Sequence, residues 1–308
     1  MKITIIGSGN VGASCASFLA QKNIVNKIIL LDIKENISEG KSLDISQMLS
    51  LMESRTELVG VTNDYSKSKN SEIIVITSGI TRKPGMSRDD LVNINANIIR
   101  EVTEKSIFFS PEAKFIIVSN PLDVMAYVSY ITARIDPSRV IGMAGVLDTA
   151  RYRYFLSKKL KLSCHDIQSL LLGGHGDTMV PLYRYTSVSG IPIKEFLSEE
   201  DNNIIIEKTK KGGEEIVNLL GTSAWIAPGA SIVKMIESII KNENRIFPCS
   251  ALLKGEYGIE DIYLGVPVVL GKSGIEKIIE LKLNNEEMNL LKRSAFHVKN
   301  MIKKVKDL

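Results

Sequence analysis

Residues 2–12 read Lys2-Ile3-Thr4-Ile5-Ile6-Gly7-Ser8-Gly9-Asn10-Val11-Gly12. Residues 3–6 are apolar and β-branched and predict a short strand; residues 13–20 predict a helix. A Gly-x-Gly-x-x-Gly pattern says little alone, but between a strand and a helix it has a mechanical reading. Gly7 makes the tight turn, Gly9 lets backbone approach a pyrophosphate at the helix N-terminus, and Gly12 lets the helix pack close on the strand. The competing reading is a glycine-rich turn without ligand, and the next element argues against it. Residues 28–31 predict a second buried strand that ends in Asp32, 20 residues after Gly12. A carboxylate there binds both hydroxyls of an adenosine ribose and repels a 2′-phosphate, which favours NAD over NADP. Lys34 lies near enough to temper that preference.

Beyond Asp32 the alternation of strand and helix continues as a doubly wound α/β domain. Helix is expected over 37–52 and strands over 58–61, 73–77, 115–119 and from 140. The loop after 73–77 reads Ser78-Gly79-Ile80-Thr81-Arg82-Lys83-Pro84-Gly85-Met86-Ser87-Arg88-Asp89-Asp90. Two glycines and a proline mark a segment able to move. Ser87 and Asp90 form a capping signature, so a helix should start there, with Leu91, Ile94, Ile98 and Val102 as its apolar stripe. Arg88 would occupy the first turn, where the helix dipole disfavours a cation. Alone, the loop reads as a basic solvated segment; a cation in that turn, with Arg82 and Lys83 nearby, also suits an anionic ligand. Asn120-Pro121 after the next strand is a turn signal that suits a cis bond. Asn120 either hydrogen-bonds a ligand or caps the helix that follows.

In the second half, 144–160 predicts a helix carrying Asp148-x-x-Arg151, which is either an i,i+3 salt bridge or two groups facing a cleft. Residues 167–193 suggest a mixed sheet with turns. Helices over 201–220 and 229–240 are broken apart by 221–229, and 245–252 with 262–270 suggest antiparallel strands. The last helix carries Met288, Leu291, Ala295, Val298, Ile302 and Val305 as a one-sided stripe for core packing or a subunit contact. Leu171-Leu172-Gly173-Gly174-His175-Gly176-Asp177 places one of three histidines among glycines, where backbone or ligand can come close. His165 reads as a loop residue and His297 as solvated.

Composition bounds these readings. The 308 residues suffice for two domains, and 44% hydrophobic with 24% charged residues suits a soluble globular chain. A net charge of +4, from 39 basic and 35 acidic residues, is too small and dispersed for a nucleic-acid partner. Lys303, Lys304 and Lys306 read as a solvated helix face. Cys15, Cys164 and Cys249 lack metal-ligand spacing and suggest a reducing, cytoplasmic setting without disulfides or metal. No apolar run approaches the ~20 residues of a membrane span. No leader is expected, since a strand and its motif start at Lys2.

Gly-Ser-Gly-Asn-Val-Gly, Asp32, Arg-Lys-Pro-Gly-Met-Ser-Arg, Val-Ser-Asn-Pro, Leu-Asp-Thr-Ala-Arg and Gly-Gly-His-Gly-Asp occur in the order seen in the lactate and malate dehydrogenase family. The chain resembles that family from residue 2 to the C-terminal helix, and within it most resembles the lactate-dehydrogenase-like malate dehydrogenases of bacteria and archaea. The resemblance implies a Rossmann-type NAD-binding domain over 1–143, then an α+β catalytic domain over 144–308. It implies reversible oxidation of (S)-malate to oxaloacetate, as in the tricarboxylic acid cycle, by a homodimer or homotetramer. His175 corresponds to the acid/base histidine and Asp148 to the aspartate that orients it. Arg151 corresponds to the arginine on the substrate C1 carboxylate, Arg88 to the loop arginine that polarises the carbonyl, and Asn120 to the residue between substrate and nicotinamide. Cofactor contacts fall on Gly7, Ser8, Gly9, Asn10, Val11, Gly12, Asp32, Asn95, Val118, Ser119 and Asn120. Arg82 stands where malate enzymes carry arginine and lactate enzymes glutamine, and Ala224 where lactate enzymes often carry threonine. A lactate dehydrogenase is the near rival, against which Arg82 argues. A catalytically silent NAD-binding protein is the distant one, and it would need none of Asp148, Arg151 and His175.

Overall fold

Six strands of the first half carry apolar runs, and all but the partly exposed edge strand are covered on both faces, which such runs suit. They are β1 (Lys2–Ile6), β2 (Lys27–Asp32), β3 (Glu57–Thr62), β4 (Ile73–Ile76), β5 (Lys114–Ile117) and β6 (Val140–Gly142), all parallel, in the order β3-β2-β1-β4-β5-β6. The computed structural model describes residues 1–81 and 87–306, with the backbone alone of Arg88. Between the strands run α1 (Asn10–Gln21), α2 (Ile37–Leu51), α3 (Arg88–Phe109) and α4 (Leu122–Ala133). Strand side chains alternate between two cores. Ile28, Leu30, Ile73 and Val75 pack with α1 and α2, while Ile29, Leu31, Ile74 and Ile76 pack with α3 and α4. The chain therefore has the expected doubly wound Rossmann-type sheet followed by an α/β half.

The second half begins with α5 (Gly145–Leu160), then the short strands β7 (Ile167–Gln168), β8 (Leu171–Gly173), β9 (Met179–Pro181), β10 (Ser187–Val188) and β11 (Ile191–Pro192). There follow α6 (Glu199–Leu220), α7 (Ile226–Lys241), β12 (Arg245–Lys254), β13 (Glu260–Gly271), β14 (Gly274–Ile278) and α8 (Asn285–Ile302). The two halves share one sheet. β12 pairs antiparallel with β6 at Ser250 and Gly142, and β13, β8 and β9 extend it beyond. A Cβ on Gly142 would lie 2.6 Å from that of Ser250, so this seam closes only on glycine.

Several expectations need correcting. The stretch 167–193 makes only antiparallel pairs, divided between the large sheet (β8, β9) and a three-stranded one (β7, β10, β11). Its connections are short turns, and a parallel pair needs a long crossover. In α3 the expected stripe is rotated: Ile94 is exposed and Ile98 half-buried, while Val92, Asn95, Ala96, Ile99, Val102 and Thr103 face inward. Thr103 and Asn95 are buried because each has a hydrogen-bond partner there, which a hydropathy pattern does not register. Pro228 and Gly229 lie inside the first turn of α7, where a missing N–H costs little because those groups have no helical partner. Nor is the lysine-rich tail a free helix face. Lys304 pairs with Asp89 at 2.8 Å, and Asn93 bonds the main chain of Lys304 and Lys306.

Candidate active site

At the end of β1 the chain turns on Gly7, whose φ of +103° L side chains rarely adopt. A Cβ on Gly12 would sit 1.9 Å from the Gly7 carbonyl oxygen, so α1 packs on the strand only without one. Gly9 is the opposite case, with nothing within 4 Å of its would-be Cβ. It is also the N-cap of α1, without a side-chain cap and without an acidic residue in the first turn. The main-chain N–H groups there are the kind that an anion satisfies. Asp32, at the end of β2, accepts from the Ser8 amide at 2.6 Å and from the Lys34 amide at 3.1 Å, which leaves carboxylate lone pairs for a ribose. These residues fit a dinucleotide whose pyrophosphate meets the helix start and whose ribose meets Asp32. The Ser8 hydroxyl is buried against Ser38, its N–H is on Asp32 and its carbonyl on Lys41, so Ser8 shapes the turn and has no polar group left over for a ligand. Asn10 is exposed and Val11 partly so.

The Asn95 amide is committed inside the protein. It accepts from Ile80 N–H at 2.9 Å and donates to the carbonyls of Ile80 and Asn120, at 3.2 and 2.7 Å. It ties the end of the β4 loop to the end of β5. Ser119 is buried, with its hydroxyl on the Ser78 carbonyl, and Val118 is partly buried. Asn120–Pro121 is cis, and Pro121 rather than Asn120 is the N-cap of α4. The Asn120 side chain is thus not used as a cap, and the residue lines an open cleft of about 430 Å³ together with His175, Asp177 and His297. His297 and His165 are exposed, as expected.

His175 follows β8 on a turn that begins at Gly173, φ +81°. Its Nδ1 lies 2.9 Å from Oδ2 of Asp148, in the first turn of α5, and the other Asp148 oxygen accepts from Arg151 Nη1 at 3.3 Å. Asp148 is 2% exposed, so both interactions act where water screens poorly. The Asp148 carboxylate pushes the His175 pKa up, against burial and the charge of Arg151. The alternatives for Asp148-x-x-Arg151 merge, because the carboxylate bonds both partners at once. The Arg82 assignment and the Arg88 side chain lie outside the described residues, as do residues 83–86 of the expected mobile loop; Ser87 does cap α3 through a reciprocal pair with Asp90.

Sequence reading missed three contributors. Asp123 of α4 accepts from the His175 main-chain N–H at 3.0 Å and from Ser250 Oγ at 2.6 Å. Ser294 of α8 accepts from the Gly174 N–H at 2.7 Å. The signal for Asp123 was available: an acidic residue in a stretch of otherwise apolar character, 121–128.

Residues 1–142 match the family model of the lactate/malate dehydrogenase NAD-binding domain, and residues 145–308 that of the lactate/malate dehydrogenase α/β C-terminal domain. A malate dehydrogenase of Cytophaga hutchinsonii is 58% identical over 302 residues, 98% of this chain and 97% of that protein. The solved malate dehydrogenase of Salinibacter ruber superposes with a TM-score of 0.95 at 45% identity, covering 99% of this chain and 97% of that one. The Plasmodium falciparum malate dehydrogenase solved in complex with NADH superposes at 0.93 with 36% identity, covering 99% and 98%.

Proposed function

The chain belongs to the lactate/malate dehydrogenase family, and from that membership we propose that it is an NAD-dependent malate dehydrogenase in which His175 is the acid/base group. The observation that carries the reading is the run His175–Asp148–Arg151, in which one buried carboxylate bonds an imidazole and a guanidinium.

NADH, when bound, supplies the hydride for reduction of the keto acid. Gly7, Gly9, Asn10 and Gly12 would hold its pyrophosphate, Asp32 its ribose hydroxyls, and Val118 to Asn120 its nicotinamide end. Arg151 holds the substrate C1 carboxylate through the edge not used by Asp148. His175 donates a proton to the carbonyl oxygen and leaves as neutral imidazole. Asp148 fixes the ring by taking Nδ1–H, which leaves Nε2 to face substrate. Arg88 meets the negative charge that grows on the oxygen, and Arg82 pairs with the C4 carboxylate. The NAD-binding unit spans 1–143 and the catalytic unit 144–308. The enzyme works in the cytoplasm as a dimer or tetramer.

Steady-state constants with oxaloacetate and pyruvate test this. A charge-assisted pair contributes about 1.5–3 kcal/mol, and an unpaired arginine facing pyruvate adds a penalty. Wild type should therefore prefer oxaloacetate by at least about 100-fold in kcat/KM. Arg82→Gln should narrow that ratio; a wild type that prefers pyruvate makes this a lactate enzyme instead.

A further inference from the structure

Asp123 is a carboxylate 5% exposed, placed in the first turn of α4, and its two described partners are neutral donors. Burying a carboxylate costs several kcal/mol unless something offsets it. Two hydrogen bonds and the N-terminal dipole of α4 offset part of that cost. Burial pushes its pKa up while the Ser250 hydroxyl and the N–H and charge of His175 pull it down, and a neutral amide could make the same two bonds, so a carboxyl at this place needs an explanation. Its neighbourhood supplies one. Oδ2 holds the main chain of His175, while Oδ1 is anchored by the hydroxyl of Ser250 on β12, the strand that joins the two halves.

We propose that Asp123 is a positioning residue for the reaction: it pins the main chain of His175 to the core sheet and sets a second negative charge beside the imidazole. The inference rests on the reading of His175 as the acid/base group. The charged groups around His175 come from several elements. Asp148 and Arg151 approach from α5 and Asp123 from α4, while Asp177, His297 and Lys304 stand around the cleft. Asp148 has the largest effect, Arg151 opposes it, and Asp123 acts with Asp148 to favour the imidazolium. With Arg151 held between Asp148 and a substrate carboxylate, its charge still opposes the imidazolium, and a second carboxylate offsets it until the proton is transferred.

Two variants separate position from charge. In Asp123→Asn the amide oxygen can still accept from His175 N–H, and the amide nitrogen can donate to Ser250 Oγ, so geometry is kept and charge lost. In Asp123→Leu both bonds go. The chain has three histidines, so the His175 ring signal is assigned by its absence in His175→Asn, and its titration is followed by NMR without turnover. Asp123→Asn should lower the His175 midpoint by about half a unit to one unit and keep kcat within about threefold at a pH below that midpoint. Asp123→Leu should lower kcat by about 10- to 100-fold with NADH Kd and KM near wild type. An unchanged midpoint in Asp123→Asn overturns the proposal, as does wild-type kcat in folded Asp123→Leu. If Asp123→Leu does not fold, the titration of Asp123→Asn decides alone. A wild type inactive on oxaloacetate would sink the malate assignment and leave this titration standing as a separate result.

Discussion

Two glycine-rich turns, at 7–12 and at 173–176, each end a strand, yet they are held in different ways. The first packs main chain on main chain, Gly12 against the Gly7 carbonyl, with Asp32 and Thr77 at neighbouring strand ends bonding the Ser8 N–H and the Gly7 carbonyl, and it leaves helix N–H groups open. The second is fixed by side chains from three helices: Asp123, Asp148 and Ser294. Binding a cofactor pyrophosphate needs only dipoles in the right place, which the backbone supplies locally. Moving a proton needs a tuned charge, which requires side chains brought from far along the chain.

The strongest way to break this contrast is His175→Asn. It should lower kcat by roughly 100-fold or more while leaving NADH affinity nearly unchanged; a variant with wild-type kcat removes the chemistry from the second turn. The wild-type pH profile adds the sign. With the His175 pKa raised by Asp148, kcat/KM for reduction should hold at low pH and fall as pH rises through that pKa. Oxidation needs the neutral ring and should show the reverse. Next in size, Asp32 should give NADH at least about a tenfold advantage over NADPH in kcat/KM, since charge repulsion partly survives screening. Equal values would show that the ribose end is not read there.

Gly12→Ala and Gly9→Ala sharpen the first turn. The former forces backbone from backbone and should cost about 1–3 kcal/mol in a urea melt. The latter should stay within about 0.5 kcal/mol of wild type yet weaken NADH binding several-fold by titration. Equal stability losses would mean that Gly9 is not held open for a ligand. The smallest effect belongs to Glu237 on α7, which gathers Lys22, the C-cap of α1, with Lys234 and Lys241. Those lysines, Lys241 foremost, depress its pKa to about 2. The stability it contributes is present above the ordinary carboxylate range and is lost as pH falls towards 2. Glu237→Gln should cost about 1 kcal/mol or less at neutral pH, a gap that closes in acid melts.

The same contrast explains what could be read in advance. Strand, turn and Asp32 are local, so periodicity and glycine spacing announced them. His175, Asp148 and Arg151 were legible as residues because their motifs are short, but their contacts depend on β8 lying beside β13 and on α5 packing over it. Asp123 was legible only as an acidic residue in an apolar stretch, and Ser250 and Ser294 carried no local signal: a serine on a strand looks the same whether it faces water or a buried carboxylate. The α3 stripe was misjudged for a related reason, since Asn95 and Thr103 count as polar until their partners are known.

The seam at Gly142 and Ser250 bears on the order of folding. Its two residues are distant along the chain, so the pairing has high contact order and carries a large loop-closure cost. Until it forms, β6 is an open sheet edge of the kind that invites pairing with other chains. Ser250 also reaches Asp123, and through it the main chain of His175, so the contact that closes the edge also anchors the turn that carries His175. A chain in which this seam has not closed therefore lacks the anchor behind the His175 turn.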